Sequence, residues 1–102
     1  MREGLVTTPN GRLWYSVYGE EQAKTPLLAI HGGPGFLSMT DGMEELWRDR
    51  PVYFYDQLGC GRSDRAADAN FYSVANYVEE LKTVRAALCL TEVVLMGFSW
   101  GC

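Results

Sequence analysis

The 102-residue sequence predicts an α/β fold with a mostly parallel sheet opened by a β-hairpin. Short unbroken apolar runs alternate with segments of helical periodicity, the pattern of strands buried on both faces and joined by crossover helices. Each of these runs leads into a loop that contains glycine. Ahead of them lies a stretch in which side chains alternate on either side of a Pro-Asn-Gly turn.

The hairpin comes first. Gly4 to Thr8 runs into Pro9-Asn10-Gly11, and "RLWYSVYG", Arg12 to Gly19, sets Leu13, Tyr15 and Val17 against Trp14, Ser16 and Tyr18. An Asn-Gly turn between two such runs is a strong hairpin signal. Both alternating sets carry aromatics, so neither face reads as the solvated one. After a polar link, Glu20 to Thr25, the run Leu27 to Ile30 suits a buried strand, which "HGGPG" at His31 to Gly35 ends. Met43, Leu46 and Trp47 recur at helical spacing between Thr40 and Arg50, and Pro51 closes that helix before a second buried strand, Val52 to Asp56. The loop "QLGCGRSD" follows. Ser73 is placed to cap a longer helix whose apolar stripe is Val74, Tyr77, Val78, Leu81, Val84 and Leu88, with Glu79, Glu80, Lys82 and Arg85 on the other, solvated side. "EVVLMG", Glu92 to Gly97, reads as a third buried strand and runs straight into Ser99. Right-handed crossovers would gather these strands into one open sheet.

Composition removes several classes of function. With 47% hydrophobic and 22% charged residues and no repeat, the chain has the make-up of a globular domain. Thirteen acidic against nine basic side chains give a net charge of -4, with Lys and Arg scattered, so nucleic acid is not an expected partner. Cys60, Cys89 and Cys102 show no CxxC or CxH spacing and accompany a single histidine, which argues against a disulfide framework and a metal site. Free thiols fit a reducing, cytoplasmic setting. No leader-like start is present and no apolar segment approaches the ~18 residues of a membrane helix, so no membrane partner is expected. "GPGFLS" and "GCGRSD" begin like G-x-G-x-x-G but lack its last glycine, and no P-loop lysine occurs, so no cofactor is expected.

In open α/β sheets, sites form beyond the carboxyl ends of the strands. There Gly97-Phe98-Ser99-Trp100-Gly101 fits G-x-S-x-G, a tight strand-to-helix turn that exposes a serine hydroxyl for nucleophilic attack. Gly97 and Gly101 suit positions where strand and helix nearly touch. A serine nucleophile needs N–H donors aimed at the oxygen that becomes negative, and "HGGPG" is suited to provide one. Its glycine pair, Gly32 and Gly33, lets the backbone approach substrate closely, while Pro34 stiffens the loop and Gly35 completes it. The N–H groups of Gly33 and Trp100 are therefore expected to form the oxyanion hole. His31 precedes the usual order of nucleophile, acid and base, so it is expected to order the loop beside that hole. Asp56, Arg62, Ser63 and Asp64 are expected to shape the second loop by hydrogen bonding.

"HGGPG", "YDQLGCGRSD" and "GFSWG", in this order and at these spacings, resemble the N-terminal part of the α/β-hydrolase fold, and specifically the proline iminopeptidase family of serine peptidases. The resemblance spans essentially the whole chain. It implies Ser99 as nucleophile, Gly33 and Trp100 as oxyanion donors, and a small peptide or amino-acid amide as substrate, from which an N-terminal residue, often proline, is removed. Phe98 stands where the family often has glycine. Neither an acidic residue nor a histidine follows Ser99, so the remaining triad members are expected outside this sequence. Residues 1–102 thus read as an incomplete α/β-hydrolase domain without its C-terminal half or cap domain, inefficient alone. An exposed apolar sheet edge at Glu92 to Phe98 would invite self-association. Two rival readings are an ester or amide hydrolase without proline preference, and a noncatalytic α/β piece that needs a partner chain.

Overall fold

Side-chain alternation makes the start of the chain a hairpin: β1 (Arg2–Thr8) and β2 (Gly11–Tyr18) pair antiparallel, with Arg2 opposite Val17 and Thr8 opposite Gly11. The computed structural model describes residues 2–31, 48, 50–65 and 73–97. The turn differs from the expected Asn-Gly centre. Its loop residues are Pro9 and Asn10, and Gly11 is already the first residue of β2. Proline's fixed φ suits the first loop position, and the Thr8 hydroxyl accepts from the Asn10 N–H at 3.2 Å while donating to the Gly11 carbonyl at 2.7 Å. Gly11 has φ +145, and a Cβ there would lie 2.9 Å from Leu58 Cδ1, so glycine here serves close packing against the later loop.

The apolar runs form β3 (Leu27–Ile30), β4 (Val52–Tyr55) and β5 (Val94–Gly97). The sheet order is β1-β2-β4-β3-β5. β2 meets β4 antiparallel, whereas β3 lies parallel to both β4 and β5, the open sheet entered through a hairpin that the sequence predicts. One face packs Leu13, Tyr15 and Val17 of β2 with Leu28, Tyr53, Tyr55, Leu58 and Val84. The other gathers Leu27, Ala29, Val52 and Phe54. Burial on both faces is why β3 and β4 read as unbroken apolar runs.

Helix α1 (Val74–Ala87) begins as expected, with the Ser73 hydroxyl accepting from the Asn76 N–H at 3.3 Å. Its buried face is rotated from the expected stripe. Val74 and Val78 are 62% and 46% exposed, while Glu80, assigned to the solvated side, is only 5% exposed. The inward face is Tyr77, Glu80, Leu81, Val84 and Leu88, a proper i, i+3, i+4 series in which an acid replaces an apolar residue. β5 departs from the strand buried on both faces and agrees with the expected exposed apolar edge. Val94 and Leu95 point to opposite faces of the sheet and are 42% and 49% exposed. This strand stands at the end of the sheet order, and its strand partner among the described residues is β3 alone.

The helix expected between Thr40 and Arg50 lies outside the described residues except at Arg48 and Arg50. So do Gly32, Gly33, Pro34, Gly35, Ser99, Trp100, Gly101 and Cys102. No helix among the described residues is long and apolar enough to cross a membrane. Cys60 is a buried free thiol and Cys89 an exposed one.

Candidate active site

Parallel pairing levels the ends of three strands. Ile30 stands opposite both Tyr55 and Gly97, so the segments that begin at His31, Asp56 and Phe98 all leave from one carboxyl edge, with β3 in the middle. Such an edge is where open α/β sheets hold their sites.

His31, the first residue past β3, is buried. Its Nε2 accepts from the Gln57 N–H at 2.9 Å, and the Gln57 side-chain amide donates to the His31 carbonyl at 3.1 Å. Gln57 therefore brackets His31, joining the start of the first loop to the start of the second. A ring nitrogen that accepts carries no proton, so Nε2 is engaged toward Gln57. No role for Gln57 was legible from its polarity; its place directly after a strand, beside Asp56, was the available signal.

Asp56 has no exposed surface. Its Oδ2 accepts from the Arg62 N–H at 2.9 Å and from the Arg62 guanidinium at 3.3 Å, closing the 56–62 turn on one carboxylate oxygen. Charge-assisted bonds of this kind compensate a buried carboxylate for its lost hydration. Arg62 lies over the Trp14 ring, its guanidinium carbon 3.4 Å from the centroid, which ties the loop to β2. Ser63 strengthens the same seam by donating its hydroxyl hydrogen to the Asp56 carbonyl and accepting from the Trp14 N–H at 2.9 Å.

The far end of the loop is tied to β2 as well. Asp64 Oδ2 accepts from the Arg12 N–H at 2.9 Å and from its guanidinium at 3.1 Å, and the Arg12 backbone bond leads the causes that hold the Asp64 carboxyl below the usual range. Gly59, at φ 85, donates to the Asp64 carbonyl at 2.8 Å across the loop, a backbone conformation that disfavours a side chain. From the helix side, Glu80 Oε1 accepts from the Leu58 N–H at 3.1 Å and the Tyr77 hydroxyl donates to the Leu58 carbonyl at 2.9 Å. Thus β2, α1 and His31 hold the 56–65 loop from three sides. Among the described residues no group of three His, Cys, Asp or Glu side chains is arranged to hold a metal ion. Ser99, Gly33 and Trp100 lie outside the described residues; of the expected site, His31 and Asp56 are described and are bridged through Gln57.

The sequence profile of the α/β-hydrolase fold matches residues 25–102. The chain belongs to the α/β-hydrolase fold family. Among curated members, the proline iminopeptidase of Heyndrickxia coagulans is 43% identical over 100 residues, a match that covers 97% of this chain and 35% of that protein. The crystal structure of Mycobacterium smegmatis proline iminopeptidase superposes with a TM-score of 0.85 at 31% identity, covering 98% of this chain and 36% of that one. The N-acyl homoserine lactonase AidH superposes with a TM-score of 0.86 at 26% identity, over 99% of this chain and 38% of that one. This α/β-hydrolase chain spans about a third of the length of the curated relatives it matches. In it, the open sheet, the level ends of β3, β4 and β5 and the 56–65 loop make up the described part of the hydrolase framework.

Proposed function

We propose that this chain carries the nucleophile-bearing part of a serine hydrolase of proline iminopeptidase type, which releases an N-terminal residue, often proline, from peptides or amino-acid amides through an acyl-enzyme. The observation that carries this reading is the pairing of Ile30 with Gly97. The loop that follows His31 and the segment that bears Ser99 start from neighbouring strands at one level. Ser99 follows Gly97 by two residues, at most about 7 Å of extended chain. In this reading the Ser99 hydroxyl attacks the acyl carbon, and the N–H groups of Gly33 and Trp100 stabilise the oxyanion. His31 is a poor choice of base because its Nε2 already accepts from Gln57; the acid and base belong after the nucleophile in chain order. Similarity to proline iminopeptidases supports the substrate class.

Likeness to a lactonase supports a second reading, hydrolysis of esters or lactones without preference for proline. One experiment weighs both. The full-length protein is assayed against an N-terminal-proline chromogenic amide and a panel of esters and lactones, beside Ser99→Ala. Loss of the nucleophile is expected to lower kcat by roughly 10⁴–10⁶-fold on whichever substrate is turned over. Undiminished turnover in Ser99→Ala removes Ser99 from the role, and turnover of esters without the prolyl amide selects the second reading.

A further inference from the structure

Glu80 is a buried acid for which the hydrolytic reading has no use. Its Oε1 holds the Leu58 N–H, and Tyr77, one helical turn earlier, holds the Leu58 carbonyl, so α1 grips both polar groups of that backbone unit. Glu80 Oε2 is buried and has no hydrogen-bond partner among the described residues. A carboxyl in this position is poorly satisfied in either form. Ionised, its charge lacks compensation; protonated, its hydroxyl needs an acceptor.

The facing groups decide how finely the two forms are balanced. From β4 comes Tyr55, a buried phenol pushed up by its own burial and then by the Glu80 charge. On α1 itself stand Tyr77, whose hydrogen is committed to Leu58, and Glu79, which lines the same cavity of about 210 Å³ with Asn10, Asn76 and Thr83. From the loop, Asp56 is paired with Arg62, and from β2 the Arg12 guanidinium is paired with Asp64. Burial pushes the Glu80 carboxyl up to about 7, the Leu58 N–H opposes that rise, and no cation among the described residues contributes.

Leu58 adjoins Gln57, which brackets His31 at the root of the glycine loop. We propose that Glu80 is a proton-dependent positioning residue: gain or loss of its proton moves Leu58, and through Gln57 moves His31. This goes beyond the hydrolase reading and does not depend on it.

The Leu58 and Gln57 amides report on the two ends of this linkage. Gln-Leu and Asp-Gln each occur once in the 102 residues, so paired carbonyl-¹³C and amide-¹⁵N labels isolate each signal in this chain. Both amides are expected to follow a single step with a midpoint near 7. In Glu80→Gln, which keeps an acceptor beside Leu58 but cannot ionise, the step near 7 should vanish from both amides. A flat Leu58 signal in the unsubstituted chain from about pH 5 to about pH 9, across the range where a shifted carboxyl titrates, would overturn the proposal. So would survival of the step in Glu80→Gln, or a Leu58 step that Gln57 does not share. Should Glu80→Gln fail to fold, the unsubstituted chain still decides, since the two amide titrations must coincide. Neither readout uses hydrolysis, so the result stands apart from the fate of Ser99.

Discussion

Ser63 shows how much one small side chain holds at the loop that adjoins His31. Its hydroxyl links the Asp56 carbonyl to the Trp14 N–H, and the residue is 6% exposed, so water has little room to take over either bond. Ser63→Ala leaves a shielded N–H and a shielded carbonyl each short of a partner and is expected to destabilise the fold by about 1–3 kcal/mol. Urea denaturation measures it, and Ser63→Thr should recover most of the loss; an alanine variant as stable as the parent would mean that the seam does not depend on the hydroxyl. Ser63, Asp56 and Asp64 were legible as loop-shaping polar groups because they crowd a glycine-rich turn after a strand. Their partners were not. Trp14 is 49 positions away from Ser63, and Arg12 is 52 from Asp64. Only the β2–β4 register brings them together, and periodicity says nothing about which polar groups meet across strands.

At the level of elements, α1 illustrates both the reach and the limit of pattern reading. Its start was legible because serine satisfies a free N–H, a local effect. Its buried face was not, because a glutamate was assigned by polarity to the wet side although it shares a helical face with Tyr77 and Val84. A buried acid becomes predictable only when the loop that needs it as an acceptor is known. The other end of the helix yields a prediction of its own. Leu90 donates to the Arg85 carbonyl at 2.8 Å and Cys89 to the Ala86 carbonyl at 3.2 Å, a helix stop that places Cys89 at φ 58, where glycine is usual. Arg85 reinforces this stop by donating to the carbonyls of Leu90 and Thr91. Cys89→Gly relieves the left-handed strain and is expected to stabilise the chain by about 0.5–1 kcal/mol, allowing for glycine's larger entropy when unfolded. A rise in the urea midpoint checks it, and a fall would show that the cysteine side chain contributes more than its backbone costs.

Across the whole molecule, the raised pKa of Glu80 makes stability depend on pH in a direction opposite to that of an ordinary paired carboxylate. Between the usual value of 4.5 and the folded value of about 7, the folded state binds more protons than the unfolded state. This contribution is therefore complete below the lower value and disappears as pH rises through the upper one, at a cost on the order of 3 kcal/mol. Unfolding free energies measured across that window should fall with pH in the parent and lose this component in Glu80→Gln; a parent curve that rises or stays level in both proteins contradicts it. The open, mostly parallel sheet entered through a hairpin was legible because unbroken apolar runs separated by segments of helical periodicity admit few topologies. The exposure of Val94 and Leu95 agrees with the exposed apolar edge expected at Glu92 to Phe98, whereas the apolar run alone had suggested a strand buried on both faces. The position of β3 has a consequence for biosynthesis. It emerges from the ribosome before either flanking strand, and its final hydrogen-bonded neighbour ends at Gly97. An N-terminal hairpin is able to close early and β3 can meet β4 once Tyr55 is made, but the β3–β5 ladder has to wait for Gly97, and pairing over such sequence separations is slow. During that delay the tetrapeptide Leu-Leu-Ala-Ile keeps one bare edge, a row of unused backbone groups that invites wrong pairing with another strand.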